Sequence, residues 1–261
     1  MARERIFDMS GTRILISNDD GINAPGLKVL ERVARKLTKD VWVVTPETEQ
    51  SAASHSLTLR RPLRIRKISG RHFAVDGTPT DSVLLGINEV MKGNAPDLVL
   101  SGVNRGGNLG EDVTYSGTIA AAMEGTLLGC RSIAFSQLFE DGQAVKWGTA
   151  EHWAEIVIRR LATVEWPRNV LINVNFPNVA AERVKGVELV RQGRRKIGGQ
   201  LAQGTDPRGE HYYWIGNQRN EDRVRYGTDI EAVTRGVISV TPLALDLTHR
   251  PTLNVLKGLF Q

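Results

Sequence analysis

The chain has 261 residues, of which 41% are hydrophobic and 24% charged, and its formal net charge is +5. This ordinary composition allows a sizeable core, and the mild positive charge suits an anionic substrate without reaching the level typical of nucleic-acid-binding proteins. No apolar run approaches the roughly 20 residues of a membrane helix, residues 1–10 lack the apolar stretch of a secretory signal, and the single cysteine, Cys130, excludes an internal disulfide. We therefore expect a cytoplasmic protein.

The first part of the chain alternates short apolar runs with amphipathic segments. The predicted strands are 13–17, 41–45, 73–75, 97–101, 131–136 and 170–174, with an edge strand within 57–68. The predicted helices are 80–91, 117–129 and 151–163, preceded by one that Asn23 caps and that runs to Leu37. Strands that alternate with helices in this way form a mostly parallel sheet with right-handed crossovers.

After about Pro177 the pattern changes. Residues 187–191, 211–215 and 237–242 are predicted strands, and no helix is evident before 253–260. We interpret this region as an extension on the α/β core that includes a long hairpin. A hairpin that cannot bury both faces within its own chain commonly pairs with another subunit.

Two adjacent carboxylates, Asp19 and Asp20, follow the first predicted strand directly. They repel each other, and burying either charge is unfavourable unless it is paired or binds a metal. In open α/β sheets ligands collect at the carboxyl ends of strands, and oxygen donors without cysteine or a histidine pair favour magnesium, manganese or calcium. The alternative is an ordinary turn, because Asp-Asp-Gly is good turn chemistry.

A glycine-rich loop over 102–110 follows the strand predicted at 97–101, so it opens on the same sheet edge. Its glycines let main-chain N–H groups approach an anion closely, and Asn104 can supply a neutral oxygen to a cation. The loop lacks the Gly-Lys-Ser/Thr ending of a P-loop. A flexible loop without a ligand is the alternative.

Ser116, Gly117 and Thr118 open the helix predicted at 117–129. The free N–H groups and positive dipole end of a helix N-terminus bind anions, although capping alone would also explain these hydroxyls.

Two other polar segments have weaker signals. In the loop 48–56 a hydroxyl could complete a cation shell and His55 could be a general acid, but a solvated loop and a structural histidine are commoner. Thr80 or Asp81 is expected to cap the following helix rather than to act in catalysis.

In their order and number these motifs resemble the SurE family of stationary-phase survival proteins, which are metal-dependent nucleotidases and acid phosphatases. The matching segments are 18–21, 24–26, 50–51, 54–56, 77–81, 101–104, 106–108, 115–118, 173–177, 228–229 and 239–243. The resemblance implies a single domain over 1–261, in which a Rossmann-like three-layer α/β core spans 11–180. It also implies that an extension over 181–261 forms homodimers or homotetramers.

The resemblance also implies the site. One divalent cation, Mg²⁺ or Mn²⁺ with Ca²⁺ possible in a crystal, would be held by Asp19, Asp20, Ser51 and Asn104. The phosphate pocket would be formed by Asn104, Gly107, Ser116, Gly117 and Thr118. The implied reaction is hydrolysis of nucleoside 5′-monophosphates, with 3′-monophosphates and short polyphosphate as further substrates of the family. Asp19, Asp20 and Asn104 would be the catalytic residues, with one aspartate as base or nucleophile. Two positions depart from the family pattern: Ala52 replaces a common glycine, and Ser82 a common cysteine or alanine.

Two other functions are compatible with parts of the sequence. A haloacid-dehalogenase-like phosphatase also has carboxylates after its first strand, but its nucleophilic aspartate would fall on Asn18, which cannot form an acyl phosphate. A non-catalytic nucleotide- or RNA-binding protein could use the basic extension, but the 6% aromatic content offers few surfaces for base stacking. We therefore expect a nucleoside monophosphate substrate, with no stable nucleic-acid partner and no membrane.

Overall fold

A computed structural model of the protein describes residues 9–197, 201–215, 219–221 and 225–259. Within them the strands are β1 (Ile14–Ser17), β2 (Val41–Pro46), β3 (Ile65–Ser69), β4 (His72–Val75), β5 (Leu98–Arg105), β6 (Arg131–Gln137), β7 (Val170–Phe176), β8 (Val187–Leu189), β9 (Arg195–Ile197), β10 (Leu201–Thr205), β11 (His211–Ile215), β12 (Arg219–Glu221) and β13 (Ile238–Ala244). The α-helices are α1 (Pro25–Leu37), α2 (Pro79–Leu85), α3 (Gly117–Leu127), α4 (Trp147–Ala162), α5 (Asp229–Thr234) and α6 (Arg250–Leu256).

The centre of the fold is a nine-stranded sheet in the order β3-β4-β2-β1-β5-β6-β7-β13-β8. The strands from β4 to β7 are parallel to their neighbours, whereas β3 and β13 run antiparallel to β4 and β7. Because successive strand side chains point to opposite faces, Ile14 and Ile16 pack on the side of α1 and α4, and Leu15 packs on the side of α2. The predicted three-layer, mostly parallel α/β fold is therefore confirmed.

The order of strands places a crevice beside β1. After β1 the chain runs outward through β2 to β4, and it then returns to form β5 on the other side of β1. Ser17 at the end of β1 lies opposite Ser101 of β5 in parallel register. The carboxyl ends of β1 and β5 flank the switch in strand order, the position where open α/β sheets bind ligands.

Several boundaries differ from the prediction for local reasons. The N-cap of α1 is Ala24 rather than Asn23, because the residue before Pro25 is held in an extended conformation. The predicted helix 80–91 ends as α2 at Leu85 and continues as a π-helical turn. Its cap is Thr78, which forms a capping box with Asp81, so Thr80 is not the cap.

Two predicted boundaries in the strands also change. The strand predicted at 97–101 extends to Arg105, so β5 takes in the first part of the glycine-rich loop. The edge strand predicted within 57–68 is confined to β3.

The C-terminal part contributes both to the main sheet and to a separate hairpin. β8 and β13 complete the sheet beside β7, while β10 and β11 pair as an antiparallel hairpin and β9 pairs with β12. The prediction of no helix before 253–260 is wrong, because α5 forms over six residues, too few for a visible helical period, and α6 begins at Arg250. The division at residue 180 stays a prediction. Among the described residues, no helix combines the length and hydropathy needed to cross a membrane.

Candidate active site

Asp19 and Asp20 lie where β1 ends, beside the crevice. Asp19 is buried, with 5% of its surface exposed, and Asp20 is half-buried. Asn18, which precedes them, is buried and donates from Nδ2 to the carbonyl of Gly21 at 3.0 Å, which shapes the turn. The turn therefore holds the two carboxylates at the edge of the sheet, where they are shielded from solvent instead of fully exposed to it.

The first turn of α3 packs directly against Asp19. The Thr118 hydroxyl donates to Asp19 Oδ1 at 2.5 Å, and Ser116 caps the helix by accepting from the N–H of Ile119 at 3.1 Å. A Cβ at Gly117 would lie 2.6 Å from Asp19 Cβ, so only glycine fits between the helix and the carboxylate. The structure thus brings the predicted anion site and the predicted acidic pair together.

The electrostatics of the pair are unfavourable without a compensating cation. Burial, and secondly the charge of Asp20, raises the pKa of Asp19 to about 7, against the lowering effect of the Thr118 hydrogen bond. Burial also raises the pKa of Asp20, opposed by the N–H of Arg105, and the charge of Glu49 adds to the rise. Two carboxylates with raised pKa values in a crevice are typical of a functional site.

The end of β5 forms the opposite side of the crevice. The N–H of Arg105 points to Asp20 Oδ2 at 3.3 Å, which brings the end of β5 next to Asp20, and Asn104 is the residue before Arg105 on this strand. The Nδ2 of Asn104 donates to the carbonyl of Gly106 at 2.9 Å, so its other end, Oδ1, is the atom suited to a cation.

Much of the glycine-rich loop is fixed by hydrogen bonds within the protein. The N–H groups of Gly106, Asn108 and Gly110 donate to Gln137, Asn175 and Asp229 at 2.8–2.9 Å. A Cβ at Gly107 would lie 2.9 Å from Leu138, so packing accounts for this glycine. A phosphate contact at Gly107 stays a prediction.

Ser51 lies on the segment 47–58 between β2 and β3, called here the Ser51 loop. The N–H of Gln50 donates to the carbonyl of Asp19 at 2.8 Å, so the loop touches the acidic turn. The Ser51 hydroxyl is exposed and donates to Glu49 Oε1 at 2.7 Å. The loop is therefore next to the site, while the role of Ser51 as a ligand stays a prediction.

The donors at this edge fit a hard divalent cation. Asn18 Oδ1, Ser17 Oγ and Ser101 Oγ are buried here and have no hydrogen-bond partner among the residues that the structure describes. They lie next to a buried carboxylate whose pKa is raised. Over the described ranges, no three His, Cys, Asp or Glu side chains group as a metal-binding set. A cation here would take two carboxylates and complete its shell with neutral oxygens, which is the preference of magnesium and manganese.

Comparison with known proteins agrees with this geometry. The sequence model of the family described as survival protein SurE matches residues 14–199. The chain belongs to the SurE family. It is similar to the 5′-nucleotidase SurE of Paramagnetospirillum magneticum (69% identity, covering 98% of each chain) and to that of Rhodospirillum rubrum (57% identity, 98% of each). The crystal structure of the SurE protein from Aquifex aeolicus superimposes with a TM-score of 0.84 at 39% identity, covering 95% of this chain and 100% of that one.

Membership of the SurE family confirms the resemblance recognised in the motifs, but several residues around the site carried no such signal. Arg105 acts through its main-chain N–H, which any residue could supply, and Glu49 acts through its charge near Asp20. His55, expected to be structural, has Nε2 2.9 Å from Glu124 Oε2 on α3. The sequence shows a histidine in a loop and a glutamate in an alanine-rich helix, but it does not indicate that the two side chains meet.

Proposed function

We propose that the chain is a divalent-metal-dependent 5′-nucleotidase, a phosphomonoesterase that releases phosphate from nucleoside 5′-monophosphates. The single observation that carries this is the contact of Asp19 with the N-terminus of α3, because it joins a cation-binding carboxylate to an anion-binding helix end. The names of the SurE relatives support the same activity. Nucleoside 3′-monophosphates and short polyphosphate are further candidate substrates.

We assign the proposed roles from the positions of the side chains. Asp19, Asp20 and Asn104, with Ser51 from the adjacent loop, would hold Mg²⁺ or Mn²⁺, which when bound polarises a phosphoryl oxygen and activates water. The N–H groups of the first turn of α3 face the same crevice and stabilise negative charge on the transferring group.

The hydroxyls of that turn have a second role. The Thr118 hydroxyl donates a hydrogen bond to Asp19 and so holds this carboxylate in one orientation. Ser116, the N-cap, fixes the start of the helix and with it the directions of the N–H groups of Gly117 and Thr118. These contacts orient the site before a substrate binds.

The test is a phosphate-release screen over nucleoside monophosphates with Mg²⁺, Mn²⁺, Ca²⁺ and excess chelator. We expect release that needs the cation and that is lost in Asp19→Asn and Asp20→Asn, with Asp141→Asn, an exposed turn residue, as the matched control. Nucleotide binding with steep salt dependence but no release would instead support the non-catalytic binding protein. Full activity in chelator, or in either site variant, would refute the proposal.

We also propose that the protein is a homodimer or homotetramer assembled through the hairpin of β10 and β11. Every residue of β11 is exposed, including Trp214 at 70% and Ile215 at 69%. Neighbouring strand residues point to opposite faces, so apolar side chains are uncovered on both faces of the hairpin. Light scattering should find an oligomer that Trp214→Glu dissociates and that Leu59→Glu, at another exposed apolar position, leaves intact.

We place the activity in the cytoplasm. The buried, unpaired Cys130 is compatible with a reducing compartment.

A further inference from the structure

Glu124 is a buried acid that the proposed reaction does not use. It lies on α3 about two helical turns after Gly117, on the same stripe of the helix that faces Asp19. Its side chain is 9% exposed, and the partner that the structure gives it is His55 at 2.9 Å. A buried carboxylate is costly unless it is paired, so Glu124 favours the conformation of the Ser51 loop that brings His55 to it.

His55 is also where the Ser51 loop meets α3. Just before it, Ser54 donates from its N–H to the carbonyl of Tyr115 at 3.1 Å and from its hydroxyl to the carbonyl of Thr114 at 2.8 Å. These carbonyls immediately precede the N-cap of α3. The loop is therefore fixed to both parts of the site, at Asp19 through Gln50 and at α3 through residues 54–55.

The backbone of the loop also requires such contacts. Ala52 and Ser54 have φ values of 59° and 54°, in the left-handed region that residues other than glycine seldom adopt. Such conformations persist only where surrounding contacts hold them. Within the stretch, the N–H of Ala53 donates to the carbonyl of Gln50 at 3.2 Å. Ser51 and Ala52 are exposed, and the contacts that join the stretch to the acidic turn and to α3 are made at Gln50, Ser54 and His55.

We propose that His55 and Glu124 are positioning residues that fix the Ser51 loop over the acidic pair, so that the Ser51 hydroxyl can reach the bound cation. The inference rests on the proposed metal-dependent function. Neither side chain touches the reacting atoms. Because Glu124 is carried on the helix whose N-terminus faces Asp19, the pair fixes the loop relative to that helix end as well.

The experiment compares this pair with a second histidine–glutamate pair that has the same distance between nitrogen and oxygen. His72 Nε2 lies 2.9 Å from Glu31 Oε1, where β4 meets α1 and away from the crevice. We would measure Mn²⁺ affinity by electron paramagnetic resonance without substrate, hydrogen exchange of amides 50–56 without metal, and kcat and KM for a nucleoside 5′-monophosphate.

In His55→Ala we expect about a tenfold loss of Mn²⁺ affinity, as for other residues that support metal ligands, and faster exchange of amides 50–56. His72→Ala should change neither. His55→Gln keeps an N–H donor and should recover most of the affinity. If the two residues act as a unit, the double variant with Glu124→Ala should bind Mn²⁺ about as weakly as His55→Ala alone.

Wild-type Mn²⁺ affinity and wild-type exchange in His55→Ala would overturn the inference, as would an equal change in His72→Ala. A wild-type protein that releases no phosphate would refute the proposed function instead. In that case the exchange of amides 50–56 still tests whether His55 and Glu124 hold the loop.

Discussion

The Thr118 hydroxyl on α3 donates a 2.5 Å hydrogen bond to Asp19 Oδ1 at the end of β1, across 99 residues of sequence. This bond joins the buried acid of the crevice to the helix end that would bind phosphate. It lowers the pKa of Asp19, while burial and Asp20 raise it to about 7. Metal binding, proton binding and stability are therefore linked at the carboxylate of Asp19. Three of the four predictions follow from the residues that surround it.

Replacing Asp19 by Asn should stabilise the metal-free protein at pH 8 while removing activity. The raised pKa means that the native state binds the proton more tightly than the unfolded chain, whose value is near 3.8. The contribution of Asp19 to the stability of the metal-free protein therefore falls as pH rises from about 4 to about 7, by up to about 4 kcal/mol for a shift of this size. Denaturant unfolding in the presence of chelator should give Asp19→Asn a higher free energy of unfolding than the wild-type protein at pH 8. The two proteins should differ little at pH 4. A loss of stability at pH 8 would contradict this account of the site.

Mn²⁺ affinity should fall as pH is lowered below 7, by about tenfold per unit while Asp19 alone competes for protons. Thr118→Val removes a donor that lowers the pKa of Asp19, so the fall should begin at higher pH, whereas Thr118→Ser should restore the wild-type curve. Titration with Mn²⁺ at a series of pH values measures this. Identical curves for the three proteins would show that the Thr118 hydrogen bond does not affect the pKa of Asp19.

Gly117→Ala should greatly reduce activity without unfolding the protein. The added Cβ would lie 2.6 Å from Asp19 Cβ and 3.0 Å from Pro79 Cγ, so the helix end or the acid must move. We expect kcat/KM to fall at least about a hundredfold, since small misplacements of catalytic groups have effects of this size, with a stability loss of about 1–3 kcal/mol.

The matched control for that substitution is Gly148→Ala in the first turn of α4. A Cβ there meets nothing within 4 Å, so activity should stay at the wild-type level and stability should rise by up to about 1 kcal/mol. Steady-state kinetics and thermal unfolding of both variants decide the matter. Near-normal kcat/KM in Gly117→Ala would mean that the contact with Asp19 is dispensable.

Ala52→Gly should not destabilise the protein, in contrast to Ala53→Gly next to it. Ala52 has a φ of 59°, which glycine adopts freely, so relief of strain should offset the greater flexibility of glycine in the unfolded chain and leave a gain of up to about 1 kcal/mol. Ala53 is not among the left-handed residues, and its replacement should cost about 0.4–1 kcal/mol, because glycine gives the unfolded chain more freedom. Denaturant unfolding of the two variants should therefore give opposite signs.

Most of the architecture could be predicted from periodicity, because buried strands and amphipathic helices leave their pattern in the residues that form them. β1, α3 and β11 lie within one or two residues of their predicted positions. α5 leaves no such pattern, because six residues are too few to give a helical period. The predicted cap at Asn23 is wrong because Pro25 holds Ala24 in an extended conformation, which makes Ala24 the N-cap.

The sequence by itself determined which chemical groups this protein has and at which strand and helix ends they lie. An acidic pair after β1 and a glycine with hydroxyls at the start of α3 are local features, legible within a few neighbouring residues. Only the tertiary structure decided that Thr118 and Gly117 contact Asp19, that His55 pairs with Glu124, and that both faces of the hairpin stay uncovered. The physical reason is that contacts between distant segments depend on how the sheet and helices pack. Which side chains then come within a few ångströms of each other leaves no periodic pattern in the sequence of either segment.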